Sequence, residues 1–234
     1  MHTNQIIEIN IKVFLLKDIP ARKMLSHISF MIDKTLCENE KWEQFHRNNQ
    51  YKFYSVSNLS PVEKEGIYKK EKVYRYSIRT LNEELAEYLL ETLPSRNTEE
   101  MKGLIAEPKL IPRRPIREIS SLTPLLIKWS GNGYWGGNIG FEQFENLVKI
   151  NLIKKYNQFY DTKIEEDFPL WSLFEKTNRQ PIPIDYKGKT FLGDKVRIII
   201  EDNPMAQEIA YLSIAVGLGI GNGRGNGFVS YRFS

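Results

Sequence analysis

Gly217-Leu-Gly-Ile-Gly-Asn-Gly-Arg-Gly-Asn-Gly227 places a glycine at every second position, six in eleven residues, with Arg224 near the middle. Glycine serves where a backbone takes positive φ or lies very close to a neighbour or ligand. Upstream, Asn203 and Pro204 supply a cap and a first helical residue. Ala206, Ile209, Ala210, Ser213 and Val216 then recur at helical spacing. Downstream, residues 228–233 alternate as a strand. The loop therefore joins a helix to the last strand, and its amides with the Arg224 cation suit a phosphate backbone. Two nucleotide motifs fail against it. There is no Gly-Lys-Ser/Thr, and glycines at odd positions only never meet the i, i+2, i+5 spacing of a dinucleotide fingerprint. Composition alone also permits a floppy connector. The flanking helix and strand favour a shaped loop.

Ahead of this segment, residues 125–129 read as a strand and a second glycine cluster covers residues 131–140. Phe141, Phe144, Leu147, Val148, Ile150 and Ile153 mark an amphipathic helix. Residues 179–187 and 195–201 read as a strand pair, which completes a β-α-β-β-α-β order. The same order precedes it. Ile7, Ile9, Ile11, Val13 and Leu15 alternate as a strand. Asp18-Ile-Pro20 starts a helix with Met24, Ile28, Met31 and Thr35 as its inner stripe. A short helix over residues 41–47, strands over 51–57 and 73–79, a helix capped by Asn82 and a strand-like region over 102–119 follow. Ser120-Ser-Leu-Thr-Pro124 is the expected linker. The fold class is α+β: two tandem ferredoxin-like, RRM-like βαββαβ domains over residues 1–120 and 124–234. No residue-level repeat relates the halves, so the duplication rests on element order.

The net charge of +4 suits an anionic partner without requiring one. One cysteine, Cys37, excludes an internal disulfide and a multi-thiolate zinc site. His2, His27 and His46 are too scattered for a metal cluster, so neither a metal nor a cofactor is expected. No uncharged apolar run reaches the roughly 18 residues of a membrane span. The first residues lack a signal-peptide pattern, so the expected location is cytoplasmic.

Gly131-Asn-Gly133-Tyr-Trp-Gly136 satisfies Gly-x-Gly-x-x-Gly, but the helix starts only near Phe141 and no parallel βαβ unit surrounds it. A small-molecule enzyme using this cluster is the weakest reading. His46 and Lys52 suit phosphodiester cleavage in RNA: the imidazole moves protons near neutral pH and the lysine offsets a developing oxyanion. The same pair also reads as an ordinary surface histidine beside a surface lysine. His27, on a helix face with Lys23 and Lys34, is the alternative proton carrier. Arg75 and Arg79, interleaved with Tyr74 and Tyr76, and Arg113, Arg114 and Arg117 are candidate RNA contacts. A solvated strand face explains them equally well.

Phe45-His46, the stretch Tyr51-Lys-Phe-Tyr-Ser-Val-Ser-Asn-Leu59 and the terminal Gly217-to-Val229 run together resemble the CRISPR-associated endoribonucleases that process repeat transcripts, within the repeat-associated mysterious protein superfamily. Pro124-Leu-Leu-Ile-Lys128 resembles the start of that family's second domain. The resemblance spans essentially the whole chain, and the glycine loop before the last strand is its most specific part. It implies metal-independent cleavage of CRISPR repeat RNA, with 5′-hydroxyl and 2′,3′-cyclic phosphate products. His46 would be the general acid/base and Lys52 the electrostatic stabiliser. Gly217, Gly219, Gly221, Gly223, Arg224, Gly225 and Gly227 would contact RNA. Other CRISPR effector proteins are implied partners, and a monomer or homodimer is expected. The rival is a non-catalytic repeat-binding subunit of the same fold. Two departures stand out: the first helix has no tyrosine, with Phe30 and Met31 at its middle, and Val229 stands where the family often has glycine.

Overall fold

A computed structural model describes residues 2–48, 50–186 and 188–234. In chain order the elements are β1 (His2–Leu15), β2 (Ile19–Pro20), α1 (Ala21–Leu36), α2 (Glu40–Arg47), β3 (Tyr54–Val56), β4 (Ile67–Tyr68), β5 (Val73–Asn82) and α3 (Glu83–Thr92). They continue with β6 (Met101–Ile111), β7 (Ile116–Ser121), α4 (Phe141–Tyr160), β8 (Trp171–Lys176), β9 (Ile182–Tyr186), β10 (Lys189–Gly193), β11 (Val196–Ile200), α5 (Pro204–Val216) and β12 (Val229–Phe233). Two four-stranded antiparallel sheets result, ordered β3-β5-β1-β6 and β12-β7-β11-β8. Each is the strand order of a ferredoxin-like βαββαβ unit, so the expected tandem architecture is present.

Local chemistry explains the elements. The odd positions of β1, Ile7 to Leu15, are buried against Met24, Ile28, Met31 and Ile32 of α1 and Leu85 and Leu89 of α3. Asn39 caps α2, Asn82 caps α3 and Asn203 caps α5, each side-chain carbonyl accepting amides of the first turn. The second core gathers Val148 and Leu152 of α4, Ile198 of β11 and Ile209 of α5. It also takes in Ile6, Leu81 and Ile111 from the opposite face of the first sheet. The Tyr211 hydroxyl ties the halves together. It donates to Ile111 O at 2.7 Å and accepts from Ile6 N at 3.0 Å.

Four expected elements differ, the first being the strand over 51–57, which is confined to β3. The strand-like region over 102–119 is two strands, and β7 hydrogen-bonds into the second sheet. The chain thus passes between sheets at residues 112–115, ahead of the expected linker, because prolines at both ends of Pro-Arg-Arg-Pro withhold ladder donors. Residues 125–129 form no strand and make only the isolated bridges Leu125↔Asp194 and Leu126↔Ile220. The expected partner of β11 within 179–187 instead folds back on β10 as a separate hairpin; residue 187, the end of that expectation, lies outside the described residues. The true partner is β8, whose Phe174 supplies its single buried position.

Candidate active site

The glycine loop is a packed object. At Gly227 φ is +64° and an added Cβ would lie 2.0 Å from Leu218 O; at Gly219 φ is +66° and the clash would be 2.1 Å from Leu126 O. No side chain fits either place. Most of the expected bare amides are used internally. Leu218 N donates to Gly227 O, Ile220 N to Leu126 O, Gly227 N to Pro124 O and Phe228 N to Thr123 Oγ1. Packing on itself and on residues 123–126 therefore shapes the segment. In the stretch from Gly221 to Arg224, Arg224 is exposed, Gly221 and Gly223 are partly exposed and Asn222 is buried.

That stretch walls a cleft of about 590 Å³ between the two halves. Across it, the last turn of α2 brings His46, whose Nδ1 lies 3.4 Å from Asp33 Oδ1 of α1. Lys52 follows in the loop to β3. Its ammonium donates to Asn48 O at 2.6 Å and to Phe45 O, so two of its three N–H groups close the C-terminal turn of α2. Burial lowers the Lys52 pKa, and the Asp33 charge works against that shift. Phe53, next in the chain, has φ of +50°, a conformation rare for an aromatic residue and held here by packing on Phe159. It turns the backbone sharply between Lys52 and Tyr54. Tyr54 lines the cleft against Gly223, and burial, foremost, holds its phenol protonated.

The second half contributes Lys155 of α4, only 1% exposed. Its Nζ donates to Gly217 O and Asn222 Oδ1, both at 2.8 Å, and lies 3.4 Å from Val216 O. These acceptors gather at the negative end of α5, so Lys155 fastens the start of the glycine loop. Burial pushes its pKa down to about 7. Arg224 is exposed and stacks on Tyr186 with 4.4 Å from its guanidinium carbon to the ring centroid. It makes no ion pair among the described residues.

His46, Lys52 and the loop from Gly221 to Arg224 are thus brought together, whereas Gly217, Gly219, Gly225 and Gly227 are buried in the packing of the loop and line no part of the cleft. The other candidates are not. His27 has its Nδ1 3.9 Å from Glu100, roughly 120° round α1 from Asp33. Arg79 is 7% exposed, pairs with Glu8 at 2.7 Å, donates to Val229 O at 2.6 Å and stacks on Phe228. It joins the sheets. Arg75 is exposed opposite Lys12 on β1, about 13 Å along the strand from Arg79. Arg113 pairs with Glu208, Arg114 stacks on Phe233 at the far end of β12 and Arg117 is exposed on β7. Tyr74 and Tyr76 are 2% and 1% exposed on the helix-covered face, so base stacking on them is ruled out. Strand alternation puts them on the side opposite Arg75 and Arg79.

Asp33, Lys155, Tyr54 and Tyr186 were not singled out from sequence. A lysine or aspartate in a helix reads as solvated, and only the fold shows what it faces.

Residues 105–231 match the family model described as CRISPR associated protein Cas6, C-terminal, which is more than half of the chain. The chain belongs to the Cas6 family. Similar solved structures extend the likeness over both halves. A structure described as CRISPR associated protein Cas6 has a TM-score of 0.73 at 18% identity, over 97% of this chain and 99% of that one. An RAMP protein described as binding different RNA substrates gives 0.68 at 18%, over 97% and 99%. A Cas6-related protein from Pyrococcus furiosus gives 0.67 at 18%, over 97% and 98%. At these identities the structures establish the fold. No curated protein matches at the level of sequence. Family membership supports processing or binding of CRISPR repeat RNA.

Proposed function

We propose that the chain is an endoribonuclease that cuts CRISPR repeat RNA without a metal ion. The observation carrying this reading is His46, held with Nδ1 against Asp33 at 3.4 Å in a cleft whose opposite wall is the glycine loop and Arg224. A carboxylate at Nδ1 orients the ring and supports the imidazolium, leaving Nε2 to exchange protons with RNA. The 2′-oxygen attacks phosphorus as its proton leaves, and the bond to the 5′-oxygen breaks as that oxygen gains a proton. A 2′,3′-cyclic phosphate and a 5′-hydroxyl result. His46 serves one of these two transfers. The third N–H of Lys52 and the unpaired Arg224 offset charge on the phosphorane.

One observation favours the second reading, a repeat-binding subunit that does not cut. Lys52 already donates to two carbonyls, which draws its charge toward α2. Incubating the chain with its repeat RNA in EDTA and mapping the ends separates them. Cleavage to a cyclic phosphate and a 5′-hydroxyl is expected. Tight binding with intact RNA would establish the second reading, and ends bearing a 3′-hydroxyl and 5′-phosphate would overturn the mechanism.

A further inference from the structure

A second cavity, of about 530 Å³, lies on the other side of Arg224. It shares Tyr186, Ile220, Gly221 and Arg224 with the cleft, so the stacked Arg224–Tyr186 pair is the partition between the two. The lining differs from that of the cleft. Leu25 of α1, Trp129, Tyr134, Phe191 of β10 and Asn226 surround it. Aromatic faces thus meet an apolar floor, the ordinary composition of a small-ligand pocket.

Its walls are built in advance. Asp194 is fully buried and accepts from the Tyr134 hydroxyl at 2.8 Å, Trp135 Nε1 at 2.7 Å and Asn178 Nδ2 at 2.7 Å. Trp129 Nε1 donates to Gly133 O at 3.1 Å and closes the turn of the second glycine cluster. That cluster therefore forms a pocket wall. Asn226 belongs to the lining and is 5% exposed; its Oδ1 is buried without a hydrogen-bond partner. Phe191 remains 42% exposed at the rim.

We propose that this pocket receives one unpaired nucleobase of the RNA strand whose phosphate lies at Arg224. The proposal rests on the RNA reading above and adds a site for a base beside the site for the reacting phosphate. A base has two apolar π-faces for the aromatic walls. A cation at the partition fits a strand whose phosphate stays at Arg224 while its base turns aside. Lys128, exposed on the same lining, adds a second cation. The base belongs to the nucleotide on one side of the reacting phosphate, and extruding it costs least where the RNA is unpaired.

The test is an abasic scan. Repeat RNAs lacking one base at a time are titrated against the wild-type chain, Phe191→Ala and Trp129→Ala, with affinity read by anisotropy. One abasic position should weaken wild-type binding roughly five- to 150-fold, the range of one base–aromatic stack. At that position alone, Phe191→Ala and Trp129→Ala should remove most of the penalty. Phe191 sits at the rim, so its variant keeps the core intact if Trp129→Ala fails to fold. Normal repeat binding with no position coupled to Phe191 overturns the pocket proposal while leaving the RNA reading in place. Failure of the wild-type chain to bind repeat RNA overturns both.

Discussion

The two glycine-rich segments look alike in sequence and differ in what makes glycine necessary. In the segment ending at Gly227, the backbone folds onto itself and onto residues 124–126, and a single Cβ would strike a carbonyl at 2.0 Å. In the segment around Gly133, φ is +79° but nothing lies within 4 Å of an added Cβ. The first is tightly packed at Gly219 and Gly227; at Gly133 the second is an open turn, held by the Trp129 indole and the Asp194 carboxylate. Glycine spacing alone therefore says little about a site. Close packing on both sides decides where a loop can present a cation such as Arg224.

Gly227→Ala should have the largest effect, since it adds a backbone clash to a disfavoured φ. The loss should exceed the roughly 4–5 kcal/mol that marks exceptional substitutions, seen as a collapse of the denaturation midpoint. Next comes Arg79→Ala. Breaking a buried ion pair costs about 3–5 kcal/mol, whereas Arg224→Ala should leave stability within about 0.5 kcal/mol. In RNA binding the order reverses: Arg224→Ala should weaken repeat affinity and lower the salt slope by about one. An unchanged slope would make the loop a packing element only.

Lys155 gives a pH signature. Its pKa is lowered to about 7 in the folded chain, so between there and the unfolded value near 10.4 the unfolded state binds more protons. Stability of the wild type relative to Lys155→Met should rise with pH in that window, by at most about 1.4 kcal/mol per unit. A flat difference would mean that the ammonium is not desolvated. Gly133→Ala should cost far less than Gly227→Ala, about 1 kcal/mol from φ alone. A loss as large as that of Gly227→Ala would erase the distinction between the two segments.

Much of the fold is legible because its signals are local. The alternation of β1, the inner stripe of α1 and the Asn caps of α3 and α5 all stand in sequence as they do in space. What fails is pairing. Residues 182–186 and 171–176 are both short and half-apolar, and only their neighbours settle which joins β11. At the site, His46 and Lys52 are legible as a histidine and lysine near a strand. Asp33 and Lys155 are not, because their roles come from elements far away in the chain. Arg75 and Arg79 share a strand face, yet one lies beyond the second sheet and the other beneath it, a difference set by tertiary packing alone.

The proposed role of the His46 cleft is chemistry on RNA. Single-turnover cleavage of repeat RNA in EDTA by His46→Ala, with affinity measured alongside, tests it most directly. The rate should fall about a hundred- to ten-thousand-fold with repeat affinity nearly unchanged. Cleavage at the wild-type rate would contradict the account.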